Sequence, residues 1–143
     1  MKISTRGRYA LRVLIDLAEH DNGAFIPLKD VAARQGISQK YLEGIIGELT
    51  KSGFLEGMHG KGGGYKLCKN PEDITVGDIL RSTEGDLAPI TCLEKTAAPC
   101  FRAAECRTIK MWKDFYKTIN DFFDGIVLSD LVNNGSSVDN YVI

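Results

Sequence analysis

The chain has 143 residues, of which 43% are hydrophobic, and a formal net charge of −1 at pH 7. This length suits one compact unit plus an appendage and excludes two large cores. No apolar stretch approaches the roughly 20 residues of a membrane span, and basic residues interrupt any early apolar run, so we expect a cytoplasmic protein with no membrane partner.

The near-zero net charge hides a difference between the two halves. Residues 1–70 hold 11 Lys/Arg against 7 Asp/Glu, a net +4, whereas residues 71–143 hold 7 against 12, a net −5. A nucleic-acid module in the first half would need this basic excess to neutralise phosphates, although an ordinary solvated surface can carry the same charge.

Three helices are predicted in the first half. The first covers residues 5–20 and begins with basic side chains, and the second follows Pro27 and closes before Gly36. The third is capped by Ser38 and stops at Gly53. Two helices joined by a tight glycine turn have the shape of a helix-turn-helix.

A β-hairpin is predicted directly after the third helix. Residues 54–56 and 65–68 are typical strands, and the glycine-rich run 57–64 is the hairpin tip. Because this run lies between two strands rather than between a strand and a helix, it does not suit a nucleotide-phosphate cradle. The sequence therefore predicts a mainly α fold with a small β-hairpin wing, a winged helix-turn-helix followed by a long C-terminal dimerisation helix.

This fold predicts a DNA interface made by the third helix and the wing. The exposed side of the helix would enter the major groove, and the glycines would let the wing backbone approach a phosphate or the minor groove. A carboxylate on that helix repels phosphate and favours a cytosine amino group, although an ordinary solvent-facing charge is an equal alternative. The candidate DNA-binding residues are Arg8, Ser38, Gln39, Lys40, Tyr41, Glu43, His59, Gly60 and Lys61.

The second half contains a short helix capped by Thr75, an irregular loop and a long helix that ends near Asp124. The long helix carries a broad aromatic stripe. This face could fold onto its own domain, but we favour a dimer contact, because a reader of two-fold symmetric DNA gains from dimerising. The candidate dimerisation residues are Trp112, Phe115, Tyr116, Ile119, Phe122 and Phe123.

The chain accordingly divides into four segments. We expect a winged helix-turn-helix DNA-binding domain at 1–83, a cysteine-bearing cluster loop at 84–107, a dimerisation helix region at 108–132 and a mobile tail at 133–143.

Three of the four cysteines, Cys92, Cys100 and Cys106, lie in one stretch of fifteen residues in the irregular loop or at its end. Their spacing does not match the paired knuckles of structural zinc. An iron–sulfur cluster accepts irregular spacing, and three cysteines leave one iron position unfilled. A disulfide switch between two of the three needs no metal and stays open. Cys68, at the end of the wing strand, is expected to be a packed small residue.

Four motifs span most of the chain together with the cysteine loop: Lys2-Ile-Ser-Thr-Arg-Gly-Arg-Tyr-Ala10, Gly36-Ile-Ser-Gln-Lys-Tyr-Leu-Glu43, Gly60-Lys-Gly-Gly-Gly-Tyr65 and Val76-Gly-Asp-Ile-Leu80. With these motifs the chain resembles the family of winged-helix regulators that includes IscR, NsrR and CymR. The resemblance implies a homodimer that binds pseudo-palindromic promoter DNA, as a repressor or an activator. It also implies a cluster, [2Fe-2S] in preference to [4Fe-4S], held at Cys92, Cys100 and Cys106.

Three positions depart from the family pattern. The ligating histidine of IscR-like proteins, three residues after the last cysteine, is Ile109 here, and the acidic residue that NsrR-like proteins carry near the start of the first helix is Arg8. The wing has His59 where the family has an arginine. Glu94 and Glu105 are the nearby candidates for a fourth ligand, and CymR-like members lack the cysteine loop.

These observations predict a transcription regulator that senses iron–sulfur cluster status, or redox conditions or nitric oxide, through a cluster ligated by three cysteines, rather than an enzyme. The alternative is a metal-free thiol switch on the same DNA-binding scaffold. A redox enzyme or cluster carrier would use the same cysteines but would not need a winged helix.

Overall fold

The computed structural model describes residues 1–134, so residues 135–143 of the expected tail lie outside the described part of the chain. Within it, helices and strands follow one another in the order α1 (Thr5–Glu19), α2 (Leu28–Gln35), α3 (Gln39–Lys51), β1 (Leu55–Met58), β2 (Gly64–Leu67), α4 (Val76–Glu84), α5 (Ile109–Asp124) and α6 (Leu128–Asn134). This order confirms the predicted fold of helices with a two-stranded wing.

The predicted helix boundaries have local causes. The Ser38 hydroxyl accepts a hydrogen bond from the Tyr41 N–H at 3.2 Å, and the Thr75 hydroxyl accepts one from the Asp78 N–H at 3.0 Å. Both bonds satisfy a free N–H in the first turn of a helix. Gly36 ends α2 in the left-handed conformation, with φ of 64°, which glycine adopts at no steric cost.

The main hydrophobic core lies where α1, α2 and α3 meet. Leu14 and Leu17 of α1 and Leu42 and Ile45 of α3 are almost fully buried there. The hairpin and α6 close this core, since Leu128 is also buried in it. The core therefore fixes the angle at which α3 presents its outer face.

The wing is joined to the start of α2 by a bridge that the sequence did not predict. Gly57 pairs with Tyr65 across the antiparallel hairpin, and Ile26 forms an isolated antiparallel bridge to Tyr65 on the other side of β2. The Ile26 and Tyr65 backbones exchange two hydrogen bonds of 2.9 Å. Gly64, with φ of 149°, lies so close to the Ile26 carbonyl that a Cβ would collide with it.

The helix α6 corrects the expected boundary of the tail. Gly125 caps α5 after its last residue, Asp124, and the Ile126 carbonyl then accepts a hydrogen bond of 2.8 Å from the Val76 N–H. The Leu128 N–H donates to the Ile74 carbonyl at 2.8 Å, which holds α6 against the core. Because of this packing α6 continues through Asn134, two residues into the segment expected to be a tail. No helix among residues 1–134 has the length and apolar character needed to cross a bilayer.

Candidate DNA interface and cysteine cavity

All nine candidate DNA-binding residues are exposed, and four of them line one groove between α3 and the wing. Gln39 and Glu43 lie on the helix side, and His59 and Gly60 on the wing side, of a groove of about 440 Å³. Lys29, at the start of α2, lies at the same groove. Sequence reasoning missed Lys29, whose only signal was its membership of the basic first half.

A second group surrounds the beginning of α3. Ser38, Lys40 and Tyr41 line a recess together with Arg6 of α1. The Tyr41 ring meets the Tyr9 ring edge-on, with centroids 5.9 Å apart, so α1 holds this exposed tyrosine in place.

Arg6 is the most informative residue that the sequence reasoning missed. Its guanidinium donates to the Gly44 carbonyl at 3.1 Å and pairs with Glu48 at 2.9 Å, so it ties α1 to the middle of α3. By contrast, Arg8 donates to the Thr5 hydroxyl of its own helix and lines neither the groove nor the recess, and Lys61 lies apart at the hairpin tip.

An ion pair between the buried Asp16 and the solvent-exposed Arg34 sets α2 against α1 and so positions the helix-turn-helix. Asp16 is 1% exposed, and its carboxylate accepts hydrogen bonds from Arg34 at 2.7 Å and from Gln35 at 2.8 Å. Burial alone would raise the pKa of Asp16, but the bonds from Arg34 and Gln35 outweigh it and hold that pKa below its ordinary value.

The three clustered cysteines line a single cavity of about 230 Å³. Cys92 and Cys100 come from the loop, Cys106 lies just before α5, and Ile109 and Lys113 extend from the first two turns of α5. The rest of the wall consists of Leu93, Ala97, Ala98, Pro99 and Ala103. The long loop thus brings together all three thiols that the sequence singled out. Cys68, by contrast, is exposed rather than packed as expected, although its backbone N–H still donates across the hairpin to the Phe54 carbonyl at 3.0 Å.

The three thiols are suitable ligands for an iron–sulfur cluster, but no other residue that lines the cavity is a suitable fourth ligand. Neither Glu94 nor Glu105 lines the cavity, so neither candidate fourth ligand is brought to it. Within residues 1–134 no three metal-ligating side chains stand close enough together to hold a single metal ion. The thiols share one cavity wall, and the loop that carries them would have to draw them closer around a cluster.

Cys106 differs from the other two cysteines in its surroundings. Its sulfur lies 3.6 Å from the Thr108 hydroxyl, at the start of α5. Hydrogen bonds from the Thr108 hydroxyl, and then from the backbone N–H groups of Thr108 and Ile109, lower the pKa of the Cys106 thiol. A thiolate is both the nucleophile and the metal ligand, so these hydrogen bonds prepare Cys106 for either role.

Asp86 connects the cysteine loop to α5. Its carboxylate accepts hydrogen bonds from the Tyr116 hydroxyl at 2.7 Å, from the Ala88 N–H at 2.9 Å and from the Lys95 N–H at 2.9 Å. Burial acts to raise the pKa of Asp86, but these bonds prevail and keep it below its ordinary value. The loop is therefore anchored to the long helix through one carboxylate.

The expected dimerisation stripe of α5 is divided between two environments. Tyr116, Ile119 and Phe123 pack against α4 and the loop in a second cluster with Val76, Leu80 and Leu87, because this side of α5 is needed to close the chain's own fold. Phe115 and Phe122 lie on the opposite side and are 45% and 62% exposed, with Met111 beside them, while Trp112 is half-buried between the two sides. An unpaired apolar side thus remains on α5 after folding.

Comparisons with known proteins agree with this architecture. The sequence model of the family described as "Rrf2: Iron-dependent Transcriptional regulator" matches residues 3–134. The chain is 41% identical over 140 residues to Protein rrf2 of Nitratidesulfovibrio vulgaris, covering 95% of this chain and 90% of that protein. It is 36% identical over 134 residues to the HTH-type transcriptional regulator IscR of Pectobacterium atrosepticum, covering 94% and 80% of the two chains.

Solved structures give the same result. The fold matches CymR (YrzC), the global cysteine regulator of B. subtilis, with a TM-score of 0.75 and 31% identity over 94% of this chain and 98% of that one. It matches T. potens IscR with a TM-score of 0.73 and 35% identity over 94% and 88%. These relatives are regulators of transcription and not enzymes, which confirms the predicted class.

Proposed function

Because the chain belongs to the Rrf2 family of DNA-binding transcription regulators, we propose that it acts as a homodimer on pseudo-palindromic promoter DNA and responds to an iron–sulfur cluster held by Cys92, Cys100 and Cys106. The observation that carries this proposal is the convergence of these three thiols on one cavity. Thiolates are the usual ligands of such clusters, and we propose the [2Fe-2S] form in preference to [4Fe-4S], as the family resemblance implies.

Exposure and grouping support the proposed contacts with DNA. Tyr41 and Lys40 would meet the phosphate backbone beside Arg6. Gln39 and Glu43, which line the groove between α3 and the wing, would contact base edges in the major groove of the DNA. His59 would follow the wing toward the adjacent minor groove. Phosphate contacts position the protein and base contacts specify the sequence, so these two groups of residues have separable effects.

The exposed side of α5 supports the proposed homodimer. Phe115 and Phe122 are too large and too exposed to stay in water without cost, and a second copy of the same helix offers a matching apolar side. A dimer built on α5 would place two copies of α3 at a spacing fixed by the helix pair, as a two-fold symmetric site requires.

The chain's own residues supply a route from the cavity to the DNA-binding domain. A bound cluster would supply a redox-sensitive iron centre, and the fourth ligand would come from outside the cavity wall. Any closure of the loop around the thiols acts on Asp86, which is bonded to Tyr116 of α5. The following turns of α5 are hydrogen-bonded to α4 through Arg81, which donates to Asn120 at 2.8 Å and to Asp124 at 2.7 Å.

A metal-free thiol switch is the second candidate, and Cys106 is the observation that favours it. Its lowered pKa raises the thiolate fraction near neutral pH, and Cys92 and Cys100 line the same cavity. In this alternative, an oxidant takes two electrons from two of the thiols, which lose their protons as the S–S bond forms.

Anaerobic purification distinguishes the two candidates. We expect broad visible absorption and matched iron and sulfide contents in the wild-type protein, both lost in Cys92→Ala and both kept in the matched control Cys68→Ala, since Cys68 lies outside the cavity. DNA affinity should differ between the protein with and without iron, and this difference should disappear in Cys92→Ala. A colourless protein that takes up no iron or sulfide on anaerobic reconstitution would favour the thiol switch.

A further inference from the structure

The three lysines along α5 are not equivalent. Lys110 pairs with Asp114 at 2.6 Å, and Lys117 pairs with Asp121, each four residues further along the helix. Lys113 pairs with no carboxylate among residues 1–134, and it is the member of the three that lines the cysteine cavity. Two of these positive charges are therefore paired with a carboxylate on the same helix, and the third belongs to a residue that lines the cavity of the three thiols.

The cavity lacks any other charged group. Ile109 and Lys113 are one helical turn apart and reach it from the same side of α5. The remaining wall is apolar apart from the three sulfurs, and no acidic side chain lies in it. Arg102 stands outside this wall.

An apolar wall makes a concentration of negative charge unfavourable unless a positive group stands nearby. Three thiolates would bring three negative charges into this cavity. The irons of a cluster would outweigh its sulfides and offset part of this charge, so the ligated cluster would keep a net negative charge that grows on reduction. A lysine ammonium is a compact charge with three donors on a flexible stem, so it can reach sulfur atoms in more than one arrangement of the loop.

We propose that Lys113 is the counter-charge of the cysteine cavity, stabilising an anionic, thiolate-ligated iron–sulfur cluster by charge and by N–H···S hydrogen bonds. This inference rests on the proposed function, because it assigns a positioning role toward the same cluster. It makes Lys113 an outer partner of the ligands and not a ligand itself. Such outer partners tune both the retention and the reduction potential of a metal centre.

The test compares Lys113→Gln with Lys113→Arg and with the matched control Lys110→Gln in full-length protein reconstituted without oxygen. Lys110→Gln removes the same charge from the same helix but from a side chain that does not line the cavity. We expect Lys113→Gln to lose iron to a chelator about tenfold faster, at the lower end of the range for outer partners because Lys113 is exposed to solvent. Its midpoint potential should also move to a more negative value, because reduction adds charge to the cavity.

Lys113→Arg should keep the wild-type iron-release rate and potential, and Lys110→Gln should match the wild type in both. The difference caused by Lys113→Gln should shrink at high ionic strength, as expected for a partly exposed charge. If the wild type holds its cluster, and Lys113→Gln has the same iron-release rate and midpoint potential as Lys110→Gln, the role of Lys113 is overturned and the proposed function is not. A wild type that takes up no iron or sulfide would overturn the proposed function and this role together.

Discussion

Replacing Tyr116 by phenylalanine removes one hydroxyl and tests whether Asp86 anchors the cysteine loop to α5. The lost hydrogen bond, 2.7 Å long, goes to a charged carboxylate, for which about 1.5–3 kcal/mol is typical. Asp86 is only half-buried and keeps two backbone donors, so we expect a loss of about 1 kcal/mol, corresponding to a fall in Tm of about 3–4 °C for a chain of this size.

The effect should depend on pH in one direction. The pKa of Asp86 is lowered in the folded protein, so its contribution is present above the ordinary value of 3.8 and is lost as the pH falls through the lower, folded value. Urea unfolding at several pH values would therefore show a destabilisation by Tyr116→Phe at pH 7 that declines below about pH 4.

A double-mutant cycle identifies the partner. Tyr116→Phe and Asp86→Ala should couple by about 1 kcal/mol at pH 7, because each removes one partner of the same hydrogen bond. Tyr9→Phe is the matched control, since its hydroxyl forms no hydrogen bond within residues 1–134. A coupling of zero, or a loss for Tyr116→Phe that does not change with pH, would refute the anchoring role of Asp86.

Three further predictions follow from other contacts. Arg34→Ala leaves the carboxylate of Asp16 buried with Gln35 as its remaining strong partner. Because Arg34 itself is 34% exposed, we expect a loss of about 2 kcal/mol in urea unfolding at pH 7, less than for a pair with both partners buried. A loss below about 1 kcal/mol would contradict the importance of this pair. Phe122→Asp should shift the protein from dimer to monomer in sedimentation while its helix content is unchanged, and a variant that stays dimeric would argue against the α5 interface. Ile109→His adds a nitrogen donor to the cavity wall, so iron release should slow by about tenfold and the visible spectrum should change, whereas an unaltered spectrum and rate would exclude this position as a fourth ligand.

The predicted and unpredicted parts of the fold differ in the range of the interactions that determine them. The boundaries at Gly36, Ser38 and Thr75 were predicted correctly because each depends on contacts within one helical turn. The bridge between Ile26 and Tyr65 was missed because one residue of strand leaves no alternation to detect, and its partner is distant in sequence. The packing of α6 was missed for a similar reason. The Leu128 N–H donates to the Ile74 carbonyl, which precedes α4 and is distant from Leu128 in sequence.

The site shows the same division. Periodicity identified the apolar residues of α5, but it could not say that Ile119 would be buried in its own fold while Phe122 stays exposed, because both choices satisfy the same spacing. The irregular loop has no periodicity at all, so the sequence indicated three candidate thiols without their arrangement. Lys113 escaped attention because a lysine on an amphipathic helix is ordinary, and only the ion pairs of Lys110 and Lys117 set it apart.

The two ends of α5 are held very differently, and this gives the helix the mechanics of a lever arm. Its carboxyl end is fastened to the DNA-binding domain by Arg81 and by the backbone bond from Val76 to Ile126, whereas its amino end begins beside Cys106 in the loop. Sixteen residues make an arm of about 24 Å. A tilt of only about 5° then displaces the cysteine end by about 2 Å over that length. Conversely, in the proposed response to a cluster, a small closure of the loop would turn the fastened domain through a similar angle, and in the proposed dimer two such rotations would add across the symmetry axis.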